Sequence, residues 1–345
     1  MFHWTSQHLT LQSPPFQGGI SNTVSRPPGH PVSLNEFEAD VCAGLSKTGQ
    51  KELYSKYFYD DLGTALFEAI TLLPEYGLTR ADLRLLDKHA AELPERCGNL
   101  STVAELGSGS GEKARRILPD LVKAQPITYC PIDLSVAALS RCQRDLDDIP
   151  QLKIVPIEDS YIEGLASASK LRKPETSMLV LFLGSSIGNF EPPVAERFLR
   201  TVRENLKPGD VFLLGTDLVK NLDQMLAAYN DAIGLTAAFN LNLLARINRT
   251  LGANLDLKQF EHEARYNTSE QRIEMHLRSR SNQTVAIKSK CTVTLKKGET
   301  IWTESSYKFR PEQIRSMAER AGFSCEIQWN DEEWAFAQSV LRATS

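Results

Sequence analysis

The run Val103-Ala-Glu-Leu-Gly-Ser-Gly-Ser-Gly-Glu-Lys113 decides the fold. Its apolar start reads as a buried strand, its alternating glycines as a tight loop, and the residues beyond Lys113 as a helix. Gly107, Gly109 and Gly111 let the backbone turn sharply and lie against a ligand with no Cβ in the way. A dinucleotide loop needs glycine at its first, third and sixth positions, and the sixth here is Glu112. A triphosphate loop would end in Gly-Lys-Ser/Thr and would not carry acids, Glu105 and Glu112, on both flanks. An acid before the loop suits a ligand bearing a sulfonium and an ammonium group, S-adenosylmethionine (SAM). The plain alternative for this segment alone is an ordinary glycine-rich turn between strand and helix.

The next strand sharpens the choice. Ile127-Thr-Tyr-Cys-Pro-Ile-Asp133 is an apolar run ending in an acid 26 residues beyond Gly107, where a doubly wound sheet places a carboxylate for ribose hydroxyls. Asp133 takes that role; its alternative is a helix N-cap, for which Ser135 is better placed. Strands are predicted over 102–106, 127–132, 153–157, 177–183 and 210–215, with helices between them such as 192–205. This alternation predicts an α/β fold with a mainly parallel sheet covered on both faces. Helical patterns at 33–45, 63–73 and 79–89 precede it and are expected to cap its mouth. From 220 to 262 the chain reads as helix again. Strand-like alternation follows over 270–280, 283–295 and 300–309, with a turn at Gly298 joining the last two, then a helix over 311–321 and strands over 325–329 and 336–341.

Composition sets outer limits. With 345 residues, 41% of them hydrophobic, the chain can bury a core for one elaborated domain or two closely packed ones. A net charge of −4 and no long basic tract argue against nucleic acid as partner, which leaves a small molecule. Cys42, Cys97, Cys130, Cys142, Cys291 and Cys325 form no CxxC pair and read as reduced and structural. The start lacks a signal peptide and no apolar run is long enough to span a membrane, so a cytoplasmic protein is expected. Residues 1–33, rich in Ser, Pro and Gly, are expected to be flexible. His89, His262 and His276 lack ligand spacing and read as structural or surface residues, and Lys113 and Lys220, taken alone, as solvated helix charges.

Odd polar positions gather at predicted strand ends. Asn189, in Gly184-Ser-Ser-Ile-Gly-Asn-Phe190, and the run Gly215-Thr-Asp-Leu-Val-Lys220 lie at the carboxyl edge where such sheets bind ligands. In Trp302-Thr-Glu-Ser-Ser-Tyr-Lys-Phe309, strand alternation puts Glu304 and Ser306 on one face and Thr303 and Ser305 on the other. A lone carboxylate in such a strand calls for a partner.

These runs, together with Tyr57-Phe-Tyr-Asp-Asp-Leu-Gly63, Pro74-Glu-Tyr-Gly-Leu-Thr-Arg80, Ala227-Ala-Tyr-Asn-Asp231, Thr236-Ala-Ala-Phe-Asn240 and Ile273-Glu-Met275, closely resemble the SAM-dependent histidine Nα-methyltransferases of ergothioneine biosynthesis, over about residues 34–343. The resemblance implies a Rossmann-like class I methyltransferase sheet from residues 81–219 and 306–345. It also implies a second, α+β substrate-binding domain from 34–80 and 220–305. The activity implied is three successive methyl transfers from SAM to the α-amine of L-histidine, giving Nα,Nα,Nα-trimethyl-L-histidine (hercynine); a monomer is expected. Position by position, Tyr59 would contact the α-amine and serve as the catalytic residue, and Asn189 and Tyr229 would hold the α-carboxylate. Glu304 and Ser306 would bind the imidazole nitrogens, while Phe67, Tyr76, Thr236 and Met275 would line the pocket. Gly107 and Lys113 would belong to the cofactor loop and Asp133 to the ribose. At the adenine, where the family has an Asp-Phe pair, this chain has Ser160-Tyr161 preceded by Asp159. A second departure is Tyr76-Gly77-Leu78, where tyrosine and proline usually follow the first tyrosine.

Methyl transfer from a sulfonium is an in-line displacement, so the protein must align a neutral amine and exclude water; neither a metal nor a covalent nucleophile is required. A histidine must be fixed at both ends while its nitrogen turns between transfers. Tyrosine beside the amine offers a hydrogen bond and a π face that tolerates a quaternary ammonium, but a phenol is a weak base and water is an alternative proton acceptor. Two other readings stand beside this one: methylation of another amino acid such as a tryptophan derivative, against which Glu304 and Ser306 argue, and a non-catalytic SAM- or amino-acid-binding protein, against which the intact loop, Asp133 and Tyr59 argue.

Overall fold

A computed structural model describes residues 33–287 and 290–345; the tail expected to be flexible, save Ser33, lies outside the described residues. Its strands are β1 (Lys51–Glu52), β2 (Leu100–Leu106), β3 (Ile127–Asp133), β4 (Leu152–Ile154), β5 (Ile157–Glu158), β6 (Ser177–Phe182), β7 (Val211–Asp217), β8 (Phe260–Asn267), β9 (Arg272–Ser279), β10 (Gln283–Ile287), β11 (Cys291–Leu295), β12 (Thr300–Tyr307), β13 (Phe323–Asp331) and β14 (Phe336–Ala343). The larger sheet runs β13-β14-β7-β6-β2-β3-β4, with β5 also on β3. All its pairings from β7 to β4 are parallel, and β14 runs antiparallel to both β7 and β13. This is a Rossmann-like sheet, as the resemblance implies.

Strand alternation explains how the sheet is covered. Along β2 and β7, Val103, Val211 and Leu213 join one apolar cluster while Ala104, Leu106, Phe212 and Leu214 join the other. Helices Leu78–His89 and Ala114–Ala124 supply the first face with Leu85, Ile117 and Leu121. Helices Tyr161–Ser169, Pro192–Glu204 and Pro311–Arg320 supply the second with Leu165, Phe198 and Ile314. Both faces are buried, so β6 and the first half of β7 are apolar runs rather than alternating ones.

The chain leaves this sheet after β7 and builds a four-stranded sheet, β1-β12-β9-β8, backed by helix Leu235–Leu251 and, behind it, helix Asp61–Thr71. Leu218 and Phe309 form a parallel bridge, so the excursion departs and returns at neighbouring points.

Five expectations are corrected. Residues Phe260–Asn267 are a strand, not the end of a helix; they pair antiparallel with β9. The run 283–295 is a hairpin, β10 against β11, because Val285, Ile287, Val293 and Leu295 keep the same parity across the turn and read as one alternating strand. Gly298 adopts a turn conformation (φ +84°), but it does not pair β11 with β12, which bonds to β9 and β1 instead. Cys42, in helix Leu34–Leu45, and Cys291, in β11, form a disulfide across 249 residues, a pairing that local spacing patterns do not reveal. Cys97, Cys130 and Cys142 are free and buried, and Cys325 is free and half-buried. The strand expected over 153–157 is interrupted at Pro156, which has no N–H to give, and splits into β4 and β5. Among the described residues no helix is long and apolar enough to cross a membrane.

Packing of helix Tyr161–Ser169 on β3 relies on Gly164, where a Cβ would stand 2.4 Å from Ile132 Cγ2. Helix propensity favours Gly164→Ala by roughly 1 kcal/mol, whereas overpacking costs about 1–3 kcal/mol. The clash is expected to win, so thermal denaturation of Gly164→Ala should show a lower Tm than the parent.

Candidate active site

The loop after β2 is pinned to the end of β3. The N–H groups of Gly107 and Ser108 both donate to the Ile132 carbonyl, at 2.8 and 3.2 Å, and Gly109 N–H donates to Asp133 Oδ2 at 3.0 Å. The other Asp133 oxygen accepts from Ser135 N–H at 2.9 Å, while Ser135 itself caps the next helix. Burial pushes the Asp133 carboxyl up, and the N–H groups of Ser135, Gly109 and Leu134 pull it back. Glu105, just before the loop, is buried and accepts the Tyr129 hydroxyl; burial lifts it to about 7 against the pull of Tyr129 and Lys113.

Of the three residues expected near an adenine, Ser160 caps helix Tyr161–Ser169 by accepting Glu163 N–H at 3.3 Å, and Asp159 accepts Ser160 N–H at 2.7 Å. Tyr161 reaches the loop itself: its hydroxyl stands 3.1 Å from where a Cβ on Gly107 would lie. Its ring edge rests on Phe182, centroids 5.3 Å apart. Two observations fit a polar cofactor here. The buried Ser108 Oγ has no hydrogen-bond partner among the described residues, and left-handed Gly109 (φ +53°) opens onto space free of other atoms, while left-handed Gly111 (φ +80°) lets the loop pack against Cys142.

Lys113 is not a solvated charge. Its ammonium lies 3.3 Å from Asp82 Oδ2, and that fully buried carboxylate also accepts Gly184 N–H at 2.8 Å and Gln338 Nε2 at 2.6 Å. Asp82 thereby ties helix Leu78–His89, the loop after β6 and β14 together at the mouth of the sheet.

The other half of the site is built on β12. A register shift between Trp302 and Glu304 resets the strand. Thr303 turns away, its hydroxyl on Asn240 Oδ1 (2.8 Å) and the Met275 carbonyl (3.0 Å). Ser306 accepts from the Tyr229 hydroxyl at 2.7 Å and from Lys308 Nζ at 2.8 Å. Lys308 also donates to the Tyr229 oxygen at 2.9 Å and pairs with Asp217 Oδ2 at 2.8 Å. Glu304 is 7% exposed, and its carboxylate makes no hydrogen bond among the described residues. Burial lifts it to about 7, with Lys308 pulling the other way.

Aromatic rings bridge the halves. Tyr59 meets Phe67 edge-on at 5.8 Å, Phe67 meets Tyr76 at 6.3 Å, and Tyr76 meets Tyr229 at 6.1 Å. Phe239 closes the group, 6.0 Å from both Tyr59 and Phe67. Burial by surrounding protein, then Glu304, Tyr161, Tyr76 and Tyr229, push the Tyr59 phenol above its ordinary value, although 44% of the residue is exposed. Asp60 fixes this segment: it caps helix Asp61–Thr71 and accepts from Asn242 at 2.8 Å and from Arg249. Asn189 ends the 3-10 turn Ser186–Asn189 after β6, half-buried and with no partner for its amide among the described residues. The turn lies directly on β12, since a Cβ on Gly188 would stand 2.9 Å from the Tyr307 carbonyl.

Residues 37–343 match the model of the SAM-dependent histidine-specific methyltransferases. The chain belongs to that family. A histidine N-alpha-methyltransferase of Mycolicibacterium smegmatis is 40% identical over 304 residues, covering 87% of this chain and 93% of that protein. One of Mycobacterium tuberculosis is 37% identical over 324 residues, 93% of this chain and 98% of that protein. Ergothioneine biosynthesis protein 1 of Neurospora crassa is 34% identical over 210 residues, 60% of this chain and 24% of that protein.

For this histidine-specific methyltransferase, then, SAM is the cofactor, and the residues expected on its side collect around the loop after β2. Of the expected substrate residues, Tyr59, Phe67, Tyr76 and Tyr229 form one aromatic chain, and Glu304 and Ser306 share a strand face beside it. Met275 is buried opposite Glu304 in β9, and Thr236 is buried at the start of helix Leu235–Leu251, its N–H on Asp231. His262 is structural: its Nδ1 accepts from Asn240 at 2.9 Å and its Nε2 donates to the Tyr229 carbonyl at 2.7 Å. Lys220, read as a solvated charge, is instead buried against Asp217 with its ammonium 4.8 Å from the Trp334 ring centre. Lys308, Asp217, Asp82, Ser108 and Phe239 were not singled out from sequence. A signal existed for Lys308, which shares the parity of Glu304 and Ser306, and for Asp217, which lies in the run already noted at the sheet edge.

Asp133→Ala removes the acceptor that orders the loop. Calorimetry should show SAM binding weakened roughly tenfold to a hundredfold, the scale of losing one charge-assisted hydrogen bond.

Proposed function

We propose that this chain methylates the α-amine of L-histidine in three successive transfers, giving Nα,Nα,Nα-trimethyl-L-histidine, the first step of ergothioneine biosynthesis. The observation that carries this reading is Glu304: a carboxylate on a residue only 7% exposed, with no hydrogen-bond partner among the described residues, on the strand face it shares with Ser306 and beside a chain of aromatic rings. Leaving a carboxylate unpaired in such a place costs stability unless a ligand brings it an N–H. An imidazole does so and leaves its second nitrogen for Ser306.

Bound at the glycine loop, SAM supplies an electrophilic methyl group. The chain's residues do the rest. Glu304 and Ser306 hold the ring, Asn189 and Tyr229 the carboxylate, and Phe67, Tyr76, Thr236 and Met275 shape the space between. The amine is then free to rotate and present a fresh lone pair after each transfer. Tyr59 has its phenol raised rather than lowered, so it stays protonated near neutrality and orients the amine instead of deprotonating it. The proton leaves to water, consistent with the exposure of Tyr59. The ring faces around the amine accommodate the growing positive charge of the product.

Mass spectrometry of the purified protein with SAM and a panel of amino acids should show mono-, di- and trimethylated histidine. No methylation of histidine, or a preference for tryptophan, would overturn the substrate.

Glu304 also makes a linked prediction. Its folded-state pKa, about 7, lies above the ordinary value of 4.5. The associated stability is therefore fully present below the ordinary value and lost as pH rises through about 7. Glu304→Gln should raise the Tm of the ligand-free protein at pH 8 while raising KM for histidine at least roughly tenfold. A lowered Tm at pH 8 would contradict the assignment of an uncompensated charge.

A further inference from the structure

Lys308 has no role in the scheme above, yet its side chain is wholly buried between the two sheets. Its ammonium has three partners: the Tyr229 hydroxyl at 2.9 Å, Ser306 Oγ at 2.8 Å and Asp217 Oδ2 at 2.8 Å. Tyr229 spends its own proton on Ser306 at 2.7 Å. An ammonium only donates, so it occupies a lone pair on each hydroxyl oxygen. In the ligand-free protein both acceptor positions of Ser306 are filled and its one remaining capacity is to donate. When a carboxylate takes the Tyr229 proton, Lys308 still holds both oxygens from behind and keeps both protons directed forward.

Charge acts in the same direction. Lys220 and Lys308 both pair with Asp217, so two ammonium groups share one carboxylate beneath Tyr229 and Ser306; the other acids in their field are Glu304, on the ring side of Lys308, and Asp331, on the side of Lys220. A carboxylate is drawn to that position, and a protonated ring is repelled from it. The pair Glu304 and Ser306 therefore offers one acceptor and one donor, which matches a ring with one N–H and one bare nitrogen. Indole has no bare nitrogen, and imidazolium has none either.

We propose that Lys308 is a positioning residue: through Tyr229 and Ser306 it turns both hydroxyl protons toward the amino acid, so that the pocket requires a carboxylate at one end and a neutral ring with a bare nitrogen at the other. This rests on histidine as substrate. Lys308→Met leaves Asp217 paired with Lys220, so the buried charges still balance. It should raise KM for histidine about tenfold or more, the scale of losing charged hydrogen bonds, while SAM affinity measured by calorimetry stays within about twofold of the parent. Because Lys308 acts through two hydroxyls, the same substitution in a Tyr229→Phe/Ser306→Ala background should change KM by less than about threefold. Lys308→Gln, which keeps N–H donors without the charge, should fall between parent and Lys308→Met and gives a second reading if the methionine variant loses SAM binding. An unchanged KM, or an equal penalty in both backgrounds, would overturn the role of Lys308 while histidine methylation stood. A parent enzyme inactive on histidine would overturn both.

Discussion

The site depends on one buried carboxylate. Asp217, at the last position of β7, faces Lys220, Lys308 and the Trp334 indole N–H, the last at 3.2 Å. Burial pushes its pKa up, but the two ammonium groups outweigh burial and hold it below the ordinary value. Its own N–H donates to Ser185 Oγ at 2.8 Å and its carbonyl accepts Phe309 N–H at 2.9 Å. The end of β7, the turn carrying Asn189, the return from β12 and the β13–β14 connection thus converge on one residue. Ion pairs this deep contribute little net stability, because desolvation consumes most of the Coulombic gain. What they supply is a fixed arrangement, which an enzyme that must align a small amine needs more than it needs extra stability.

A division of labour follows between the two sheets. The larger presents backbone groups at the carboxyl ends of its strands, and its glycine loop works through N–H donors and the absence of side chains. The smaller presents side chains, and its face carries charge that the ligand-free protein does not neutralise. The first is a general surface for a nucleoside cofactor; in the proposed function the second discriminates. Tyr59 belongs to neither sheet; it packs on Phe67 and Phe239, and Asp60 fastens its segment to helix Leu235–Leu251 through Asn242 and Arg249.

What the sequence made legible has a physical logic. The parallel sheet is readable because strands buried on both faces are apolar runs, and the loop because its glycines are confined to a few left-handed positions. Glu304 is readable because a lone carboxylate among the hydroxyl residues Thr303, Ser305 and Ser306 of an alternating strand calls for a partner. Lys308 is not, because a lysine at a strand end is ordinarily solvated; its burial depends on Asp217, 91 positions away in sequence. The hairpin at 283–295 was hidden by a turn that preserves strand parity. The Cys42–Cys291 pair was hidden because it joins segments whose proximity only the finished fold creates.

The parallel bridge between Leu218 and Phe309 has a consequence for descent. The chain between those residues leaves and rejoins the parent sheet at two adjacent points, so the insert can diverge, or be exchanged, without changing the strand order beneath it. The exchange is not entirely free, since β1 comes from the chain's opening segment and zips onto β12 from outside the insert. New amino acid preferences in such a scaffold would therefore arise by co-inheritance of two distant stretches, the opening helices and the inserted sheet, with the cofactor platform carried along unchanged.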